Sequence, residues 1–599
     1  MVTIFKNKKK IYICSILLII IVLQLLHLFY TFTVKKSGEH SDEVWSYGLA
    51  NSHNMPYIFA DNTRVHDDVK LNKWITGQDL NNYITVQPSQ RFDYKNVISN
   101  LKYDEHPPLY FMILHTICSF FPDTYSKWFA FPINIICFVL TMIVLFLLVK
   151  KAIGNDIHGL LCVLYFGFCT GGVSLYIFNR HYAMAAMFFL MLYYFHFRLL
   201  ESPDNNVFYK RLIPVFIISM LGMLTLYLSA LASCILAAFC CIRLLGQKKI
   251  KKLFAYAGTM LISTLPMIFL SGIFSDKITI NGFTSTSLSD KLDANNKTFG
   301  EMFSDNSKNM MRTLFNDFAG NYGPAQLSYY LKMILSTTLF ICILAVPVVV
   351  ILIRNGKIDL KNVILTIKNF GKNIIGMEDS SYLVFSAFIM IPIYVLIIII
   401  VTLYKPMGIL ANRYVFAIYP IIAFELYVLF YKLISFCLKV DVLKKYKDFI
   451  IATIVLILTF LVARGGVQNY LFTRIDNKPS LEEICEGKDC ALFLSENWLL
   501  TCYTDILNQT DDIFVGKAFD KDSLMALKAS NNKPEYVIID VSKRSGIFRA
   551  FMGLKDTDQE LRKKIEENYS EEWKEILPKL EYIMTDNIFG RLVYVYKYN

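Results

Sequence analysis

The chain is built from long apolar blocks separated by short polar junctions, a rhythm much slower than the two-residue alternation of a strand or the 3.6-residue stripe of an amphipathic helix. The first block runs from Ile11 to Val34, and others lie near 128–149, 157–177, 182–199, 212–227, 229–244, 253–273, 328–353, 383–404, 413–436 and 449–463, eleven in all. Most approach the roughly 20 residues a helix needs to cross a bilayer. Pro107 to Phe121, at about 15 residues, is short for a span, and its crossing would reverse every later loop. It is expected to be embedded without crossing. The pattern predicts a polytopic α-helical membrane protein with about eleven spans and one short embedded helix.

Charge sets the expected orientation. Lys6, Lys8, Lys9 and Lys10 precede the first block, which is longer than the roughly 7–15 residues of a signal-peptide core and lacks a small-residue cleavage pattern. A retained helix with a cytoplasmic start follows, a cleaved signal being the alternative. Basic clusters then recur at every second junction: Lys150 and Lys151, Arg198 to Arg211, Arg243 to Lys252, Arg354 to Lys372, and Lys439 to Lys447. The positive-inside rule therefore puts 35–106, 274–326 and the tail from about 465 outside.

The tail reads differently. Short apolar runs at Ala491 to Ser495, Asp512 to Val515, Tyr536 to Val541 and Leu592 to Val595 alternate with helix-like stretches such as Asp556 to Glu567. This is the rhythm of a small α/β domain, so the chain divides into a membrane domain at 1–464 and a soluble extracytoplasmic domain at 465–599. Cys485 and Cys490 would close a short disulfide or stand as two free thiols.

Composition adds exclusions. With 55% hydrophobic and 18% charged residues and a mean hydropathy of +0.42, the 599-residue chain is no soluble enzyme, fibrous protein or disordered tail. Its net charge of +12 resides largely in junctions between apolar blocks and reports topology rather than a nucleic-acid partner. The sequence holds no metal-type CxxC spacing, Gly-rich phosphate loop, nucleophile elbow or repeat of period about 20–50.

Candidate chemistry gathers at the predicted outer rim. Asp42 and Glu43 follow the first block, and adjacent carboxylates at a membrane rim are costly to desolvate unless something satisfies or uses them. They are read either as a solvated helix end anchored by Trp45 and Tyr47 or as a general base facing a cleft. Asp104, Glu105 and His106 precede Pro107 and Pro108, which suit the first turn of a helix, so the acids there are read as a cap or as a second acidic cluster of a site. Arg180, and Lys405 with Arg413, stand at outer helix ends where positive-inside bias disfavours cations. Snorkelling to headgroups is one explanation, and a phosphate clamp is the other.

Taken together, these residues resemble the GT-C glycosyltransferases, in particular bacterial relatives of protein O-mannosyltransferases and of the aminoarabinose transferase that modifies lipid A. The resemblance rests on Asp42 and Glu43 at the end of the first helix, on the acidic-His-Pro-Pro-Leu-Tyr segment Asp104 to Tyr110, and on Arg413-Tyr414 opening a late helix. It implies a GT-C fold and transfer of a hexose or pentose from a polyprenyl-phosphate carrier to a protein, lipid or glycan acceptor at the outer face of the cell membrane. By matching positions it makes Asp42 the catalytic base, Glu43 its positioning neighbour and Glu105 the second acid. Asp104, His106, Arg180, Arg413 and Tyr414 would bind substrate, with His106 and the arginines at the carrier phosphate. No cofactor is required. Carboxylates and His are available to a divalent metal, but their spacing does not demand one. Three rival readings remain open on the sequence: a surface polysaccharide polymerase or ligase, a transporter or flippase, and an envelope assembly protein that keeps the scaffold without catalysis.

Overall fold

The computed structural model describes residues 2–59, 69–104, 106–270, 298–320, 377–401, 411–437, 446–465, 468–472, 479–541, 571–588 and 591–599. Among the described residues eight helices are long and apolar enough to cross a membrane, so the chain is a multi-pass membrane protein. They are Lys10–Lys35, Phe131–Ile153, Tyr182–Leu200, Asn205–Met223, Leu228–Gly246, Ile250–Leu270, Ser381–Val401 and Asn412–Ser435. The block expected at 157–177 is a pair of helices, Asp156–Phe168 and Thr170–Ile177, bent by 63°. The block at 449–463 lies in the helix Lys447–Gly465, and the one at 328–353 lies outside the described residues. Leu109–Ser119 is a short apolar helix, as its length predicts.

Burial sorts the spans. Tyr182–Leu200 and Asn412–Ser435 are each 72% buried and form the centre, whereas Ile250–Leu270 is 17% buried and turns Phe254, Leu261 and Phe269 outward. An exposed apolar face is what lipid contact requires. Arg180 lies just ahead of one inner span and Arg413 begins the other, so both cations sit at the ends of the most buried helices rather than on the lipid-facing ones.

The tail and the first loop share one sheet. Strands β1 (Lys73–Thr76), β2 (Cys490–Leu494), β3 (Asp512–Lys517), β4 (Tyr536–Asp540), β5 (Leu580–Ile588) and β6 (Arg591–Tyr598) run in the order β1-β3-β2-β4-β6-β5. The centre, β3-β2-β4, is parallel, while β1 and the β6-β5 pair flank it antiparallel. Alternation along β2 explains how the sheet docks. Cys490, Leu492 and Leu494 join the same apolar core as the membrane helices, whereas Ala491 and Phe493 face a second core under the helix Lys521–Ala529 and Trp573.

The sheet thus crosses the expected division at residue 465, because β1 comes from the first loop and pairs with β3 from Lys73–Val515 to Thr76–Asp512. Just beyond β1, Gly77 donates its N–H to the Asp511 carbonyl at 3.1 Å, and a Cβ there would lie 2.1 Å from the Thr510 carbonyl oxygen. Only glycine lets the two backbones approach so closely.

Candidate functional site

The first membrane helix passes through a π-helical turn at Thr31–Lys35 and stops. Asp42 and Glu43 therefore do not end it. They occupy the first turn of a separate helix, Ser41–Asn51, whose N-cap is His40. The His40 Nδ1 accepts from the Asp42 N–H at 2.9 Å, and Glu43 Oε2 accepts from the His40 N–H at 2.7 Å, a reciprocal cap. A solvated end with aromatic anchors is not what forms. Asp42 is 7% exposed and Glu43 0% exposed. Trp45 donates to Thr501 of the tail, and Tyr47 is buried and donates to the Ser126 carbonyl.

The two carboxylates face different neighbours. Glu43 turns inward, where it meets the Lys36 ammonium and accepts from the Asn179 N–H at 2.6 Å. Lys36 also lies 3.3 Å from Glu39 Oε2. Burial works against the Lys36 charge, but Glu39 and Glu43 hold it above its ordinary value. With ammonium and two N–H groups on it, Glu43 braces the helix start and offers nothing to solvent.

Asp42 instead meets the cations. Its Oδ2 lies 3.5 Å from Arg413 Nη1, while Arg180 Nη1 donates to its backbone carbonyl at 2.6 Å and to Ser46 Oγ at 3.0 Å. Burial alone would raise the Asp42 carboxyl, yet Arg413 above all, with Arg180 in support, holds it well below the usual carboxylate range. Burial, with Arg413, Arg180 and Lys36 behind it, pushes His40 down to about 3 against the pull of Asp42. His40 is thus a neutral cap.

A second chain of contacts reaches the same point from the first loop. Tyr57 donates to Asp104 Oδ1 at 3.0 Å, Asp104 Oδ2 lies 2.7 Å from His106 Nδ1, and His106 Nε2 lies 3.3 Å from Arg180 Nη2. Arginine only donates, so Nε2 accepts and Nδ1 carries the proton toward Asp104. Asp104 accordingly serves His106 instead of capping the helix Leu109–Ser119, whose N-cap is Pro108 with no side-chain bond. Arg180 keeps its Nε buried without an acceptor among the described residues. Arg413, 23% exposed at its side chain, lies with its guanidinium carbon 5.2 Å from the Tyr414 ring centroid.

The structure therefore brings Asp42, Asp104, His106, Arg180, Arg413 and Tyr414 together, leaves Glu43 behind them, and places Glu105 outside the described residues. Sequence reasoning missed Lys36, whose position beyond the end of the first helix, on the side that the charge pattern predicts to be outside, breaks the same positive-inside bias that marked Arg180. It also missed Asp317, fully buried at the end of the helix Phe299–Ala319, which accepts from Tyr419, from Asn412 at 2.8 Å and from Asn469 at 3.2 Å. Asn412 precedes Arg413, so Asp317 ties down the 3-10 segment Ala411–Ile418 that carries the arginine. Among the described residues no three His, Cys, Asp or Glu side chains meet as metal ligands would.

A family described as a domain of unknown function, DUF6311, matches residues 90–312. No curated protein matches the chain. Among solved structures, the archaeal oligosaccharyltransferase AglB from Archaeoglobus fulgidus, in complex with an inhibitory peptide and a dolichol-phosphate, is similar at 12% identity and a TM-score of 0.41, over 90% of this chain and 70% of that one. ArnT from Cupriavidus metallidurans in the apo state is similar at 12% identity and a TM-score of 0.37, over 96% of this chain and 97% of that one. The same protein bound to undecaprenyl phosphate gives 12% identity and a TM-score of 0.31, over 93% and 96% of the two chains. Likenesses this distant assign neither activity nor substrate.

Proposed function

We propose that the chain is a membrane glycosyltransferase of the GT-C type, moving a sugar from a polyprenyl-phosphate carrier to an acceptor at the outer face of the membrane. One observation carries the reading: a carboxylate, Asp42, with its Oδ2 3.5 Å from a partly exposed arginine at the start of an inner span. A transporter would be expected to hold its ionisable groups near the midplane, between matching broken halves.

Asp42 takes the proton of an acceptor hydroxyl as that oxygen bonds to the anomeric carbon. The bond from that carbon to the carrier phosphate breaks, its electron pair leaves with the phosphate, and Arg413 stabilises the departing charge. A single displacement inverts the anomeric configuration. Phosphate is a good leaving group, so no protein acid is needed.

The low basicity of Asp42 fits this order of events. Paired with Arg413 alone, the carboxylate is a poor base, since efficient general bases have pKa values near the working pH. A carrier phosphate seated on Arg413 offsets the charge that holds Asp42 down, so the carboxylate gains basicity when donor is bound. His106 and Arg180 complete the cationic side, and the tail meets the Asp42 helix where Trp45 donates to Thr501. Purified protein in nanodiscs, given a polyprenyl-phosphate sugar labelled in the sugar, should release label onto an acceptor or water. Full retention of label on the carrier across an acceptor panel, with the carrier bound, would overturn the assignment.

A further inference from the structure

Beside the turn that precedes the Asp42 helix lies a cavity of about 650 Å³ whose wall comes from Gly38 and Glu39, the helix Gly77–Ile84, the loop before Phe131–Ile153 and the start of the tail. Its size falls within the roughly 300–1,000 Å³ of small-molecule sites, but its lining is mainly polar, unlike an isoprenoid groove. Among the described residues four carboxylates line it, Glu39, Asp123, Glu482 and Asp505, and one ammonium, Lys127. Such a balance repels phosphates and other anions. Asn81, Asn508 and Gln509 add amides, each able to donate and accept, and amides with carboxylates are the groups that bind vicinal hydroxyls.

Independently of this composition, Glu39 is incompletely satisfied. Its side chain is 3% exposed, its Oε2 lies 3.3 Å from Lys36, and its Oε1 is buried with no hydrogen-bond donor among the described residues. Buried acceptors in folded proteins are almost always paired, so an unpaired one at a cavity wall marks where a ligand donor would sit. The Tyr125 hydroxyl at the same wall is also buried with no partner among the described residues.

We propose that this cavity binds a short oligosaccharide, neutral or amino-substituted, as the acceptor of the transfer reaction, with one sugar hydroxyl or ammonium donating to Glu39 Oε1. The acceptor role rests on the glycosyltransferase reading; the binding itself does not. Glu39 shares Lys36 with Glu43, next to Asp42, which joins the cavity wall to the reaction centre through one ion-paired cluster.

The test uses the full-length protein in nanodiscs over immobilised oligosaccharides of two to four residues: neutral, deacetylated amino-sugar and sulfated. Neutral or amino oligosaccharides should be retained and sulfated ones not, with retention falling at least tenfold in Asn508→Leu and in Glu39→Gln. No retention, a preference for sulfated chains, or equal retention by both variants overturns the site. Asp42→Asn separates the two claims, because it should retain the glycan as wild type does without transferring to it. Retention with no transfer in wild type keeps the cavity and sinks the acceptor role. Transfer onto glycan that both cavity variants leave undiminished sinks the cavity and keeps the enzyme.

Discussion

Asp42→Asn is the most informative single change because it should move turnover and carrier binding in opposite directions. Loss of a general base lowers transfer by about 10²–10⁴, or about 3–5 kcal/mol of transition-state stabilisation. At 3.5 Å and an effective dielectric near 20, the attraction between Asp42 and Arg413 is about 5 kcal/mol before desolvation is subtracted. A carrier phosphate must share that arginine with the carboxylate. Seated on the far side of the guanidinium, ~7 Å from Asp42, it meets a repulsion of about 2 kcal/mol, reduced by screening to about 1–2 kcal/mol. The asparagine variant removes this repulsion and keeps the shape, so polyprenyl phosphate should bind about 5–30-fold more tightly while transfer collapses. Both quantities are accessible in nanodiscs: dissociation constants by titration with polyprenyl phosphate, and transfer by release of labelled sugar. The reasoning is refuted if the variant turns over within a few-fold of wild type, or if it binds the carrier phosphate more weakly.

Arg413→Ala should raise the concentration of lipid-linked donor needed for half-maximal rate by about 10–100-fold, the worth of a charged hydrogen bond, and unaltered donor dependence would argue against the clamp. Lys36→Met leaves Glu39 and Glu43 buried without their cation, so the melting temperature of the purified protein should fall by the equivalent of about 3–5 kcal/mol; a loss below about 1 kcal/mol would show that the pair of carboxylates does not depend on it. Burial pushes the Asp317 carboxyl up to about 7, although Tyr419 and Asn412 donate to it. Its folded pKa is therefore above the unfolded value, and its contribution to stability is complete below about pH 4 and lost as pH rises through about 7. Asp317→Asn should flatten that part of the melting-temperature profile, and parallel profiles from pH 5 to 8 would count against the assignment.

What the sequence made legible follows from the reach of each signal. Membrane helices announce themselves because every residue of a span must suit hydrocarbon, which is why ten of the eleven expected blocks coincide with described helices and the remaining one lies outside the described residues. Arg180 and Arg413 stood out because cations are disfavoured in short outer loops, and the structure brings both beside Asp42. The difference between Asp42 and Glu43 was not legible. Consecutive residues of a helix point about 100° apart, and only the packed neighbours decide that Glu43 meets Lys36 and Asn179 while Asp42 meets Arg413. Asp317 was hidden for a related reason. It ends an amphipathic helix with ordinary polar residues around it, and its partners Asn412, Tyr419 and Asn469 lie about 95 to 150 positions away. Strand β1 escaped in the same way, since four residues, Lys-Trp-Ile-Thr, carry almost no periodic signal and become a strand only because the edge of β3 is there to pair with them. The residues that sequence reasoning misses are those whose role is supplied by a distant partner, and here they are the ones that hold Arg413 and the start of the Asp42 helix in place.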